Sequence, residues 1–205
     1  SSREWRFGTQ HGGTIERPHR IIRKGSFTQK QSHYFKKDHG SYRRGQEEAE
    51  SRMRVLFAAG DVGGARALLP VIESCIRKGL SIAVLDNGHI TKEAPQDWER
   101  LSSERFLSPT QARAFFKQND IGLLVFSSSV KDTIPLSLAR RAREYGIPVF
   151  HILDNWTGYR ERMEIDGLPT FSPDRYVVMD EIAYEDALEA GIEKSTLLVM
   201  GHPTL

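Results

Sequence analysis

With a single cysteine in 205 residues, Cys75, the chain can form neither an internal disulfide nor a thiolate metal centre. Cys75 falls among Ile72 and Ile76 at helical spacing and reads as a packed position. No apolar run approaches the roughly 20 residues that cross a bilayer, and the Arg- and His-rich start lacks the apolar stretch of a secretory signal. Neither a membrane span nor classical export is expected. A reducing, cytoplasmic setting is, with peripheral contact at the inner membrane face as its variant. Three catalytic signatures are also missing. There is no Gly-x-Ser-x-Gly elbow, no phosphate loop ending in Lys-Ser/Thr, and no Gly-x-Gly-x-x-Gly.

Aliphatic residues are scarce over residues 1–52, where Ile15, Ile21 and Ile22 are the only Ile, Leu or Val, and no helical or strand period persists. Such a stretch cannot bury enough apolar area to offset about 1–2 kcal/mol of backbone entropy per residue, so a basic, low-order extension is expected. It holds 12 Lys and Arg against 6 Asp and Glu, whereas residues 53–205 hold 17 against 21. Its basic pairs alternate with Trp5, Phe7, Phe27, Tyr34, Phe35 and Tyr42, a composition suited to an anionic surface or nucleic acid. His11, His19, His33 and His39 lack the short regular spacing of metal ligands. Neither a metal nor a cofactor is expected.

From Met53 the pattern changes. Strands are predicted at 54–59, 81–85, 122–126, 149–153, 175–179 and 197–200, with a further short one at 104–107. Helices are predicted at 65–78, 108–118, 135–145 and 180–190, closed at three points by Gly79, Gly146 and Gly191. Near-continuous apolar strands alternating with amphipathic helices predict an α/β fold, a doubly wound, mainly parallel Rossmann-like sheet over residues 53–205. In such sheets ligands bind beyond the carboxyl ends of the strands. The unusual polar residues fall there, in Gly60–Gly64, Asp86–His89, Ser127–Ser129, Asp154–Trp156, Asp180–Glu181 and Gly201–Pro203. Each group also serves as ordinary turn chemistry.

Gly60, Gly63 and Gly64 follow a strand and open a helix, so main-chain N–H groups can approach a ligand oxygen closely. Asp61 within that loop opposes a phosphate. Asp86 lies about 20 residues beyond the glycines, where a nicotinamide enzyme holds ribose, which keeps that reading as an alternative. His89 and His202 fall at strand ends; His151 falls inside an apolar strand and reads as a core residue. Asp154, Asn155 and Trp156 place a carboxylate, an amide and a stacking face in one loop. Arg140, Arg141 and Arg143 read as solvated helix surface.

Three stretches together resemble the N-terminal half of a GT-B glycosyltransferase, most closely the lipid-A-disaccharide synthase-like group. Val55 to Gly64 is similar to that group's first strand and glycine loop. Gly146 to Trp156, with Arg160 and Arg162, is similar to its strand and aromatic/Arg segment. Pro173 to Met179 and Leu198 to Pro203 are similar to its closing units, ending in Gly-His-Pro. The resemblance implies an acceptor-side domain for surface-polysaccharide or glycolipid synthesis. It further implies a sugar or glycolipid acceptor, and a nucleotide-sugar donor bound by a C-terminal half or partner subunit, so that the chain alone is inactive. A sugar-nucleotide 2-epimerase half shares the fold, and a non-catalytic nucleotide- or polyanion-binding module is the alternative from a different class. The carboxylate that follows the fourth strand in the synthases has no counterpart, because Ser127-Ser128-Ser129 stands there. Asp61, His89 and Asp154 are the catalytic candidates, in that order. Gly60, Gly63, Gly64, Asn87, Ser127, Ser128, Asn155, Trp156 and His202 are the substrate-binding candidates. Asp132 reads as a helix cap.

Overall fold

The computed structural model describes residues 53–103 and 108–203; the expectations for residues 1–52 and for a strand at 104–107 lie outside them. Chain order runs β1 (Arg54–Ala58), α1 (Val62–Arg77), β2 (Ile82–Asp86), α2 (Gly88–Glu93), β3 (Arg100–Ser102), α3 (Pro109–Gln118) and β4 (Ile121–Phe126). It continues α4 (Ile134–Glu144), β5 (Val149–Ile152), β6 (Arg175–Val178), α5 (Glu181–Glu189) and β7 (Leu197–Val199), with a 3-10 turn at Glu161–Met163. The seven strands form one parallel sheet in the order β3-β2-β1-β4-β5-β6-β7. Strand order therefore reverses direction between β1 and β4.

The apolar runs lack polar alternation because both faces of the sheet are covered. Leu56 lies in register between Ala83 and Leu124 and faces a core shared with Phe115, Leu136, Leu138 and Ala183 of α3, α4 and α5. Phe57, between Val84 and Val125, faces the opposite core built on Leu68 and Ile72 of α1 and Ile90 of α2. Side chains on successive strand residues point to opposite faces, so one strand feeds both cores. Cys75 packs at the border of the second core.

Caps fix where the helices begin. Asp61 accepts from Gly64 N at 2.9 Å, Asp180 accepts from Ala183 N at 2.7 Å, and Ser108 forms a reciprocal capping box with Gln111 before Pro109. Two elements differ from expectation. Asp86–His89 is not simply a turn, since α2 starts at Gly88. A strand forms at Arg100–Ser102, a polar stretch that pairs with β2 on one side only. Among the described residues no helix is long and apolar enough to cross a membrane.

Beyond β4 and β5 the chain is held by Arg162, which is only 5% exposed. Its Nη1 donates to Asp154 Oδ1 at 2.5 Å and to the Ser128 carbonyl at 2.7 Å, Nη2 to Asn155 Oδ1 at 2.9 Å, and Nε to the Thr157 carbonyl at 3.1 Å. Ser128 Oγ returns a hydrogen bond to the Arg162 carbonyl at 3.0 Å and lies 3.4 Å from His151 Nε2. With that hydroxyl proton on the carbonyl, the ring nitrogen facing Oγ is the one that carries hydrogen. His151 is wholly buried against Phe126 and Tyr176, and burial, with the nearby Arg162 charge, pushes its pKa down from 6.5 to about 3.

Removing one partner of a buried ion pair strands the other charge. Arg162→Leu is expected to cost about 3–5 kcal/mol in urea unfolding, and Arg162→Leu with Asp154→Leu less than the single change. A single-variant loss under about 1 kcal/mol would show that the pair is not holding these loops. For His151, the unfolded chain takes up a proton between pH 6.5 and about 3 while the folded chain does not. Stability is thus full above pH 6.5 and falls as pH drops, by up to ~1.4 kcal/mol per pH unit from this group. Unfolding curves of His151→Gln across that range should show a slope shallower by about one proton.

Candidate functional site

Each parallel strand delivers its following loop to the same edge, and the strand-order reversal leaves a gap between the loops after β1 and β4. A cleft of about 500 Å³ occupies this place. Gly60 and Asp61 line it from the first loop, Ser129 to Asp132 from the loop after β4, and Asn155 and Arg162 from the segment after β5. A hollow of about 420 Å³ at the opposite edge, beside Met53, Phe116 and Tyr145, lies away from the polar loops.

Asp132 stands over Gly60 so closely that a Cβ at Gly60 would fall 1.9 Å from Asp132 Oδ2 and 2.5 Å from Asn87 Nδ2. A larger residue there would push the Asp132 and Asn87 side-chain ends aside. Asn87 Nδ2 donates to Asp132 Oδ2 at 3.3 Å, and the Ile134 N–H donates to Oδ1 at 3.3 Å. Burial raises the Asp132 pKa, the negative charge of Asp61 adds to the rise, and the hydrogen bonds from Ile134, Asn87 and Gly60 oppose it. A second close approach occurs at Gly63, where a Cβ would meet Asp154 Oδ2 at 2.1 Å. α1 thereby packs its first turn directly on the loop after β5.

The sequence candidates divide accordingly. Gly60, Asp61 and Asn155 line the cleft, and Asn87 reaches its wall through Asp132. Asp154 and Ser128 are drawn into the Arg162 cluster behind it. Ser127 is buried against Gly64, and its Oγ has no hydrogen-bond partner among the described residues. His89 sits in the first turn of α2, half-buried, and its backbone N–H donates to the Gly60 carbonyl at 2.9 Å. Trp156 is 44% exposed; its Nε1 donates to Asp180 Oδ2 at 2.9 Å, and its ring stacks with His202 at 6.2 Å between centroids. His202 Nε2 also lies 3.3 Å from the Asp154 carbonyl. Arg140 and Arg143 are tied to carbonyls of Pro169 and Ser172.

Asp132 and Lys131 were absent from the sequence-level candidates for this cleft, and Arg162 entered only through the family resemblance. Asp132 does cap the start of α4 through Ile134, as its sequence position suggests, but its second oxygen faces Asn87. The usable signal was a carboxylate a few residues past a buried strand, opposite the glycine loop of the neighbouring strand. Replacing Asp61 with Asn removes the charge that helps to raise Asp132, so the Asp132 titration midpoint, read by carboxyl 13C NMR, should move downward.

No family model matches the chain, and no curated protein matches it. Among solved structures it is similar to S. aureus MnaA with UDP, at a TM-score of 0.52 and 13% identity over 74% of this chain and 44% of that one. It is also similar to Acinetobacter baumannii MurG, at a TM-score of 0.50 and 13% identity over 73% of this chain and 45% of that one. A UDP-N-acetylglucosamine 2-epimerase from Rickettsia bellii matches at 0.49 and 15% identity over 75% and 46%. The chain spans less than half the length of these structures. Neither MnaA nor MurG is a lipid-A-disaccharide synthase; the fold that these two share with the chain is a Rossmann-like half of the GT-B type.

Proposed function

We propose that this domain is the acceptor-binding half of a GT-B-type glycosyltransferase of surface-polysaccharide or glycolipid assembly, working on the cytoplasmic side against an opposing donor-binding half. The lipid-A-disaccharide synthase-like group is the relative that the sequence motifs favour. The observation that carries the reading is the charge state of the cleft between the β1 and β4 loops. Its guanidinium, on Arg162, is already engaged by Asp154, Asn155 and two carbonyls, while Asp61 and Asp132 present carboxylate oxygen. Lys131 adds one exposed ammonium at the rim. Such a wall suits the hydroxyl groups of an uncharged sugar and opposes a diphosphate. The opposing half would bring the nucleotide-sugar to it.

Amide NMR of the full chain tests this directly. Neutral mono- and oligosaccharides, N-acetylated amino sugars included, should move the Gly60, Asn87 and Asn155 signals, whereas UDP and UDP-sugars at equal concentration should leave them in place. Binding of UDP tighter than about 1 µM, some −8.2 kcal/mol, would overturn the assignment.

A further inference from the structure

Among the described residues Trp156 is the only aromatic side chain that stays exposed, yet it is held in place. Its Nε1 donates to Asp180 Oδ2, the oxygen left over when Ala183 N bonds Oδ1 to cap α5. His202 backs the ring at an interplanar angle of 15°. With the indole N–H committed to Asp180, what Trp156 offers a ligand is a π face and not a hydrogen bond. An indole fixed along its edge has already given up the rotamer freedom that binding would otherwise remove.

Asn155, the residue before it, is fixed in a similar way. Its Oδ1 accepts from Arg162 Nη2 at 2.9 Å, from the Thr157 N–H at 3.1 Å and from the Thr157 hydroxyl at 3.0 Å. Three donors on one oxygen set the orientation of the amide and leave Nδ2, which has no hydrogen-bond partner among the described residues, as a donor. Val130 adds an aliphatic wall to the same cleft: it is 61% exposed and stands beside Gly158, where a Cβ would lie 3.7 Å from Val130 Cγ2. A fixed donor next to an aromatic face and an aliphatic wall matches a pyranose ring, which carries hydroxyls around its rim and C–H groups on its faces. A nucleobase also stacks on indole, but in a nucleotide it brings phosphates that the Asp61 and Asp132 carboxylates repel.

We infer that Asn155 and Trp156 together form a recognition subsite for a pyranose ring of the acceptor. The ring lays a C–H face on the indole while Asn155 Nδ2 donates to one of its hydroxyl oxygens, and Asp180 is the positioning residue for Trp156. The inference rests on the acceptor-half reading above and narrows it to ring sugars, because an open-chain polyol carries the hydroxyls without a flat C–H face. Removing that face and the indole from water together is the favourable part of the contact.

NMR of the full chain tests this, with methyl β-glucopyranoside as the probe and sorbitol and uridine as comparisons. The glucoside should move the Trp156 indole N–H signal, identified by its loss in Trp156→Phe, and the Asn155 side-chain amide signals, and its own ring protons should shift upfield in the ring current. Sorbitol at equal concentration should leave the indole signal in place. Trp156→Leu should weaken the glucoside several-fold and Trp156→Phe, which keeps an aromatic face, by less. Asn155→Asp, which keeps an acceptor for Arg162 and removes the donor, should also weaken it. Asp180→Ser retains a helix cap but loses the indole partner, so it should weaken the glucoside in the parent chain and have little further effect in the Trp156→Phe background. A glucoside that moves the Gly60 and Asn87 amides but not the indole, or that binds Trp156→Leu as well as the parent, would overturn the inference and leave the acceptor reading standing. So would uridine moving the indole at lower concentration than the glucoside. If the glucoside moves nothing, this inference falls, and the acceptor reading falls with it only when the other neutral saccharides are silent too.

Discussion

A guanidinium sealed among oxygen atoms organises the working edge of this domain. Arg162 arrives from the 3-10 turn, and reaches a carbonyl after β4, 34 residues back, and a carboxylate, an amide and a carbonyl in its own segment after β5. Burying a cation is costly unless every donor finds an acceptor, and the acceptors here come from separate loops. The loops are therefore fixed relative to one another by the same contacts that make the charge tolerable. His151 and Ser128 extend the cluster into the core, where imidazole persists in its neutral form.

That arrangement divides the acidic residues by task. Asp154 neutralises Arg162, Asp61 and Asp180 begin helices, and Asp132 caps α4 with one oxygen while the other meets Asn87 at the cleft. Gly60 and Gly63 are paired devices in this scheme, each clearing space for one carboxylate against the main chain. The electrostatic character of the cleft follows from the division, since its buried guanidinium is spent internally and Lys131 stands exposed at the rim.

Much of the architecture was legible because the physics acts over short range in sequence. β1 and β4 are unbroken apolar runs, as strands covered on both faces must be, and Asp180 and Ser108 stand where caps belong. α2 escaped because six residues with a single buried side chain, Ile90, show no period. β3 escaped because an edge strand of Arg-Leu-Ser need satisfy only one neighbour and little core. In the site, Ser127 and Ser128 looked like polar residues offered to a ligand, yet both are buried. Asp132 meets Asn87 across 45 residues, and Arg162 meets Ser128 across 34. Contacts at such separations leave no local spacing to read.

The strand order has a consequence for how this domain associates. Among the described residues its outermost strands, β3 and β7, are three residues long, with Arg100 at the start of one border. Borders this brief offer few unpaired main-chain groups to an incoming strand, which disfavours growth of the sheet into fibrils or continuous two-molecule sheets. Side chains, rather than open main-chain groups, are what these borders offer to a companion.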